Sequence, residues 1–250
     1  MHDDTELRHL ILLLISTSEK FKGRPVDNRL FFAGGIYLRF VNYCISVYNL
    51  LKGVDSPVFY GNKFLDPGSI NSLCRSALES FLVFQYVFIM PKGSSEADLR
   101  FDVWLKYGLN IRTKIKPITE DGLVGREWTQ NEINKIINRI RENIYFNTLD
   151  PKLQKAIVEC KDWRLPKLSC RGKIRRDSYA DIAIEAGFPE DVAHTNYEFL
   201  SGYSHSGSLS VSQILQAVTE DDKEVVCDSS ITLLKILMPI MANSYLKLFT

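Results

Sequence analysis

A short segment rich in hydroxyl groups, Ser201-Gly-Tyr-Ser-His-Ser-Gly-Ser208, has the residue types best suited to chemistry in this sequence. Its two glycines allow a sharp turn of the backbone, which would place the hydroxyl groups at the start of the next helix. Unpaired N–H groups and the helix dipole favour an anion at such a position. We therefore predict that Ser206 and Ser208 bind an anionic ligand and that Tyr203 and Ser204 position it.

The histidine in the middle of this segment is the natural candidate for proton transfer. The ordinary pKa of an imidazole lies close to neutrality, so His205 could act as a general acid and base. The same residues would also serve as a helix cap with a hydrogen-bonded histidine in a turn between helices. Both interpretations are open at this point.

A second polar pattern, Asn71-x-x-x-Arg75-x-x-x-Glu79, has a spacing that places three polar side chains on one face of a helix. The run Phe81-Leu82-Val83-Phe84 that follows is apolar on all sides, which is typical of a buried helix. A buried arginine must be paired and hydrogen-bonded. We therefore predict that Arg75 pairs with Glu79 and meets His205 and the hydroxyl groups of residues 203–206 in one cleft, with Asn71 among the ligand-binding residues. An exposed Arg75–Glu79 pair is the alternative.

A basic segment at residues 161–177 is the third candidate. Clustered cations with aromatic neighbours suit the binding of a phosphate backbone and the stacking of bases. The formal net charge is only +1, with 31 basic and 30 acidic residues, so a solvated loop is the alternative. The aromatic neighbours are Trp163 and Tyr179, and the cations predicted to bind ligand are Arg171, Arg175 and Arg176.

Several motifs that would indicate a cofactor or a metal are absent. The sequence has no phosphate-binding glycine loop, no dinucleotide fingerprint, no His-Glu-x-x-His and no nucleophile elbow. Its five cysteines are widely spaced and odd in number, which argues against a disulfide framework or a zinc cluster. We expect no cofactor, no metal and a reducing, cytoplasmic location.

The elements that must position these residues are predicted to be helices. Apolar residues make up 45% of the chain, recur with helical period, and are separated by caps and breakers. We predict a helix at about Arg29–Lys52 with a close helix crossing at the small residues Ala33-Gly34-Gly35. Another helix is predicted to begin at Asp66-Pro67. A capping box is predicted at Thr129–Glu132.

Towards the C-terminus we predict a helix from Pro189 to about Leu200 and another that is capped by Ser206 or Ser208. The predicted fold class is all-α, an irregular multi-helix bundle, with residues 1–250 as a single domain and residues 161–177 as an irregular excursion. The apolar runs Leu10–Ile15 and Phe81–Met90 are too short to span a bilayer, and the first residues lack the basic region of a secretory signal. We therefore expect no membrane partner.

Two motifs carry a resemblance to known proteins. With Arg75-Ser-Ala-Leu-Glu79 and Tyr197-Glu-Phe-Leu-Ser201-Gly-Tyr-Ser-His205, the chain resembles a family of helical prokaryotic proteins known only as a domain of unknown function. The layout is also distantly similar to the HEPN superfamily of helical bundles, many of which are metal-independent ribonucleases of toxin and phage-defence systems. In that superfamily an arginine precedes the histidine on one helix, whereas here Arg75 would supply the cation from another helix.

The resemblance implies a prokaryotic defence or stress protein that acts on RNA or a nucleotide, with a homodimer as one expected assembly. His205 would be the general acid and base, Arg75 would neutralise a phosphate, and Glu79 would orient Arg75. The alternative is a non-catalytic helical module that binds a small anionic ligand or a partner protein through the same cleft. In a third interpretation all of these polar residues are structural.

Overall fold

A computed structural model describes residues 4–55, 63–116, 118–159 and 162–249. Within these ranges the chain forms eleven α-helices, one π-helical turn and four two-residue strands. The prediction of an all-α multi-helix bundle is confirmed.

The helices follow one another with short connections. In chain order they are α1 (Thr5–Glu19), α2 (Asn28–Leu51), α3 (Pro67–Phe84), α4 (Ser94–Thr113), α5 (Glu120–Glu142), α6 (Ile144–Asn147), α7 (Pro151–Glu159), α8 (Tyr179–Glu185), α9 (Glu190–Ser204), α10 (Ser208–Gln216) and α11 (Glu220–Lys247). A π-helical turn, Gln85–Ile89, follows α3. The strands β1 (Val54–Asp55) and β2 (Lys63–Phe64) pair antiparallel, as do β3 (Lys167–Leu168) and β4 (Ile174–Arg175).

The chain divides into two compact units. The first consists of Met1–Gln85 and Tyr179–Thr250, and the second of Tyr86–Ser178. A compact unit need not fold by itself, so the expectation of one domain stays a prediction.

The core of the first unit lies where α3 packs against α2, α9 and α11. Each of these helices buries a stripe of apolar side chains, and each fully buried large side chain stabilises the fold by about 1.5–3 kcal/mol. Among the side chains with no exposure are Tyr37, Phe40, Phe81 and Met238. Helix α3 is thus held from three sides, which fixes the position of the polar residues it carries.

The second unit is built on the packing of α4 against α5. Its core cluster consists of Leu99, Val103, Ile136, Ile140, Phe146, Ile157 and Leu165. The buried ammonium group of Lys106 donates to the carbonyl oxygens of Ile157 and Val158, both at 2.7 Å. Because those carbonyls lie in the last turn of α7, the cation satisfies the negative end of that helix.

The helix starts were predicted with mixed success. Asp66 caps α3 by accepting from the backbone N–H of Ser69 at 3.1 Å, and Pro67 is the first helical residue, as predicted. The predicted capping box at Thr129 is wrong, because α5 begins nine residues earlier with Thr119 as its N-cap. Thr129 is buried inside α5 and donates to the carbonyl of Gly125 at 2.6 Å, which is a common use of a threonine within a helix.

The basic segment is more regular than predicted. Its centre forms the β3–β4 hairpin, in which Lys167 lies opposite Arg175 and Leu168 opposite Ile174. Gly172 adopts a φ of 68° in the turn, a conformation that glycine tolerates best. Lys161 lies outside the described residues.

The described cysteines, Cys44, Cys74, Cys170 and Cys227, are free thiols, and Cys160 lies outside the described residues. Three of the four are buried, and Cys170 is exposed. Burial raises the pKa of Cys227 to about 12 and raises the pKa of Cys44 and Cys74 as well. Such thiols stay protonated and unreactive near neutral pH.

By length and composition alone, three described helical segments could cross a membrane: Asn28–Leu51, Pro67–Ile89 and Glu220–Lys247. The apolar run Phe81–Met90 is too short to span a bilayer, but the helical segment Pro67–Ile89, which contains all of that run except Met90, has 23 residues. The cytoplasmic location therefore stays a prediction.

Candidate functional site

The guanidinium group of Arg75 joins α3 to α9. Its Nε donates to Glu79 Oε1 at 2.9 Å, one turn along α3. Its Nη1 donates to Ser201 Oγ at 2.9 Å and its Nη2 to the Tyr197 hydroxyl at 3.2 Å, both on α9. The arginine is therefore paired with a carboxylate and fixed by two hydroxyl groups, as a largely buried cation requires.

An aromatic pair supports this arrangement. The guanidinium carbon of Arg75 lies 5.2 Å from the centre of the Tyr197 ring, within the range of a cation–π contact. The Tyr179 ring stacks on the Tyr197 ring, with their centres 5.2 Å apart and 25° between their planes. The Arg75 side chain is 11% exposed and that of Glu79 is 32% exposed, so the cluster reaches solvent at the carboxylate side.

The donors of Arg75 are not all used. A guanidinium has five N–H groups. Three of them bond to Glu79, Ser201 and Tyr197, which leaves one N–H on each terminal nitrogen without a partner in the described part of the chain. Two such groups on one planar cation match the oxygens of a phosphate or a carboxylate.

His205 lies at the C-terminal end of α9, one helical turn after Ser201. It is the C-cap of α9, with φ −115° and ψ 14°, so its backbone has already left the helical conformation. The imidazole is exposed and has no hydrogen-bond partner among the described residues. Arg75 makes no direct hydrogen bond to His205, and its hydroxyl partners are Tyr197 and Ser201 rather than the predicted groups at residues 203–206.

Tyr203 and Ser204 belong to the last turn of α9. Tyr203 is buried and donates from its hydroxyl to Gln213 Oε1 at 2.9 Å. Burial raises the pKa of Tyr203 to about 12, so its phenol is neutral and cannot act as a base near neutral pH. Ser204 is exposed and its hydroxyl donates weakly to the carbonyl of Leu200, at 3.5 Å.

The turn after α9 differs from the prediction. The predicted helix end at about Leu200 is wrong, since α9 continues to Ser204 and Gly207 N–H donates to the Gly202 carbonyl at 2.7 Å. Ser206 has a φ of 53°, which is the left-handed conformation. The residue after the C-cap of a helix often adopts this conformation, and it is usually a glycine. Gly207 is the N-cap of α10 and no side chain caps it, so neither Ser206 nor Ser208 has the predicted capping role.

Asn71 does not share the surface of Arg75 and Glu79. It is fully buried, and its Oδ1 accepts a hydrogen bond from Ser230 of α11, while its Nδ2 has no partner in the described structure. With 3.6 residues per turn, positions eight apart are rotated by about 80° around the axis, so the three-residue face predicted from the spacing is too wide.

The basic segment separates into paired and exposed cations. Arg164 pairs with Asp162 at 2.8 Å and Lys167 with Asp177 at 2.6 Å, so these two stabilise the fold locally. Trp163 is buried against Tyr86 and is not accessible to a base. Arg176 is half-buried. The exposed cations of the hairpin are Arg171, Lys173 and Arg175.

Sequence reasoning missed two site residues, Tyr197 and Ser201, as partners of Arg75. Their spacing in the sequence could have indicated this role. They are four residues apart, so both hydroxyl groups lie on one face of α9. Among the described residues no group of three or more histidine, cysteine or acidic side chains could hold a metal ion, and the expectation of a metal-free protein stays a prediction.

The fold and the site together define a class: an all-α protein with a hydroxyl-held arginine at the junction of two helices and an exposed histidine one turn away. The chain belongs to a family of unknown function, DUF5677, whose model matches residues 31–224. That range contains Arg75, Glu79, Tyr197, Ser201 and His205. Comparisons with curated proteins and with solved structures find no match.

Proposed function

We propose that this protein acts on RNA or a nucleotide at the cluster of Arg75, Glu79, Tyr197, Ser201 and His205, as a metal-independent ribonuclease in prokaryotic defence or stress. The arrangement of Arg75 carries the proposal. Its guanidinium is held by three hydrogen bonds and one ring, and it retains two N–H groups. A cation that is fixed before the substrate arrives stabilises developing negative charge without reorganising.

His205 supplies the proton transfers in this mechanism. Its imidazole takes the proton of a ribose 2′-hydroxyl, whose oxygen forms a bond to the adjacent phosphorus. The bond from phosphorus to the 5′-oxygen breaks, and that oxygen receives a proton from the imidazolium. The products are a 2′,3′-cyclic phosphate and a free 5′-hydroxyl. Arg75 neutralises the additional negative charge that develops on the phosphate in the transition state.

A separate proposal concerns the exposed cations of the β3–β4 hairpin, which belongs to the second unit. Arg171, Lys173 and Arg175 would bind phosphate groups without regard to base identity. Tyr203 and Ser204 were predicted to position the substrate, and of the two only Ser204 is exposed and suited to this role.

The test uses an exposed histidine as the matched control. Purified protein is incubated with single-stranded RNA in the presence of EDTA, and the cleaved ends are analysed for cyclic phosphate. His205→Ala should abolish cleavage and leave the melting temperature unchanged, because the imidazole has no partner to lose. His194→Ala removes an equally exposed histidine from the same helix and should leave cleavage intact.

Cleavage that survives in His205→Ala, or that disappears only with the chelator, would reject the proposed mechanism. Arg75→Lys refines the assignment, because lysine keeps the charge and loses the planar set of donors. We expect it to lower the rate by at least tenfold, on the order of the loss of one well-placed donor to a reacting phosphate.

A non-catalytic function has one observation in its favour. A catalytic histidine is usually oriented by a second group through its other ring nitrogen, and His205 has no such hydrogen bond among the described residues. If the protein binds AMP or inorganic phosphate through Arg75 but cleaves no RNA, it is a module that binds a small anion. If RNA, AMP and phosphate all fail to bind, a partner protein or a purely structural role of the cluster remains.

A further inference from the structure

The first unit contains a cavity whose lining includes no residue of the arginine cluster. It has a volume of about 680 Å³ and is formed by the α1–α2 connection, the first turns of α2 and the end of α11. Its lining includes Phe21, Phe31, Phe32, Gly35, Tyr245 and Phe249. Cavities of several hundred Å³ with mainly apolar walls are typical of small-molecule sites.

One wall is an aromatic cluster. The Phe21 ring stacks on Phe249 with centres 3.8 Å apart and meets the edge of Tyr245 at 5.7 Å. On α2, by contrast, the Phe31 side chain is 67% exposed. A preformed wall next to an exposed aromatic ring leaves apolar surface that a ligand could cover.

Helix α2 contributes two glycines to the cavity lining, of which Gly35 is exposed. The sequence predicted a close helix crossing at Ala33-Gly34-Gly35. Ala33 is fully buried, and the Tyr245 hydroxyl lies 3.5 Å from where a Cβ of Gly34 would be. A Cβ at Gly35 would have no atom within 4 Å. Glycine weakens a helix, so a glycine that makes no close contact is not explained by packing.

The rim carries one cation without a carboxylate partner. Lys22 is neutralised by Glu19, with Nζ and Oε2 3.1 Å apart. The guanidinium carbon of Arg24 lies 5.1 Å from the centre of the Phe21 ring, and among the described residues Arg24 forms no ion pair. The rim therefore has a net charge of +1, positioned above an apolar cavity.

From this combination we propose that the cavity binds a carboxylate with an acyl chain, that is, a free fatty acid. The chain would lie against Gly35 and the aromatic wall, where its burial supplies most of the affinity. The carboxylate would pair with Arg24 at the rim, where an exposed ion pair contributes modestly and selects the sign of the ligand's charge. This site is independent of the proposed ribonuclease activity.

Gly35→Leu separates a ligand site from a structural role. A leucine at this position adds a side chain to the cavity lining and should weaken the binding of dodecanoate by at least tenfold, measured by isothermal titration calorimetry below the micellar concentration. Because it also replaces a helix glycine where there is space, it should raise the melting temperature by a few degrees. Gly108→Leu, at another helical glycine with no atom within 4 Å, should raise the melting temperature and leave binding unchanged.

The charge of the ligand is tested with Arg24→Gln and a matched cationic ligand. The variant should weaken dodecanoate binding about threefold to fivefold, as expected for one exposed ion pair. Lys20→Gln, an exposed lysine outside the cavity lining, should have no effect. Dodecyltrimethylammonium should bind the wild-type protein more weakly than dodecanoate.

Three results would overturn the proposal. The first is dodecanoate binding that is equal in wild-type protein and Gly35→Leu, or absent in both. The second is equal affinity for the anionic and cationic ligands. The third is a change of oligomeric state in Gly35→Leu without ligand, detected by analytical ultracentrifugation, because the cavity would then be an interface between copies of this chain.

Discussion

At the scale of single residues, Arg75 serves two purposes that can be separated by experiment. Its hydrogen bonds to Ser201 and Tyr197 connect α3 to α9. Its two remaining N–H groups could donate to an anion. A hydrogen bond to a charged group in a half-buried setting contributes about 1.5–3 kcal/mol, so the cluster should stabilise the fold even if it also binds a ligand.

We predict that Ser201→Ala lowers the free energy of unfolding by about 1–2 kcal/mol, because Arg75 loses one acceptor that solvent replaces poorly. Ser204→Ala is the matched control, since that hydroxyl is exposed and makes only a 3.5 Å contact with the Leu200 carbonyl. It should change stability by less than about 0.5 kcal/mol. Urea denaturation measures both, and equal effects would show that Ser201 does not support Arg75.

Ser206 should be replaceable by glycine with a gain in stability. Its φ of 53° disfavours any residue with a Cβ by about 1–2 kcal/mol, whereas glycine adopts this conformation freely. After the larger entropy loss of glycine on folding, we expect Ser206→Gly to stabilise the protein by about 0.5–1 kcal/mol. A loss of stability in urea denaturation would mean that the serine hydroxyl contributes more than the backbone conformation costs.

A side chain at Gly207 would be crowded, because its Cβ would lie 3.2 Å from Gly202 Cα and 3.4 Å from the Gly202 carbonyl oxygen. Gly207→Ala should therefore lower the melting temperature, at a cost of about 1–3 kcal/mol. Gly202→Ala places its methyl group 4.0 Å from Ser210 Cβ and should be neutral or stabilising. The opposite order of melting temperatures would contradict the close contact of the two backbones.

At the scale of elements, the β3–β4 hairpin and the helix termini show how local chemistry is distributed. Lys167 and Arg164 are paired with acidic residues, whereas the exposed cations follow at the turn and on β4. A short antiparallel hairpin thus presents positive charge on a chain whose net charge is only +1. Its charge is local and does not reflect the composition of the whole chain.

The hairpin prediction is tested by salt dependence. If the hairpin binds single-stranded RNA, replacing Arg171 and Arg175 by alanine should reduce the slope of log affinity against log salt concentration by on the order of 1. Replacing Lys152 and Lys155, two exposed lysines of α7, removes the same charge elsewhere and should leave the slope unchanged. If both double variants lower the slope equally, only non-specific charge is involved.

At the scale of the whole molecule, the apolar helices raise the question of location. Helices α2 and α11 are long and apolar enough to cross a membrane, yet each also exposes polar side chains. Beyond its first turn, the exposed polar residues of α2 are Arg39, Asn42, Ser46 and Asn49. An exposed arginine and two asparagines would be costly in the hydrocarbon region of a bilayer.

We therefore predict that the protein is recovered in the soluble fraction of a cell lysate after ultracentrifugation, without detergent. Any small amount that sediments should be released by a carbonate wash, which removes peripheral proteins and leaves inserted ones in the membrane. Retention in the pellet until detergent is added would show that one or more of the three helices are inserted.

The sequence by itself determined the fold class, the start of α3 at Asp66-Pro67, and the pairing partners within one helix. These depend on local interactions: helical period, a capping side chain, and an i,i+4 contact such as that between Arg75 and Glu79. A single helical turn fixes such geometry whatever surrounds it. The basic character of residues 161–177 is likewise a property of composition.

Only the tertiary structure decided which side chains meet across helices. Tyr197 and Ser201 reach Arg75 because α9 packs against α3, and a separation of more than a hundred residues leaves no periodic signal of that contact. Asn71 lies in the core, where its Oδ1 accepts a hydrogen bond from Ser230 of α11. The open space at Gly35 could not be predicted from the sequence either. A glycine within a helix gives the same sequence pattern whether another helix packs against it or the space beside it is empty.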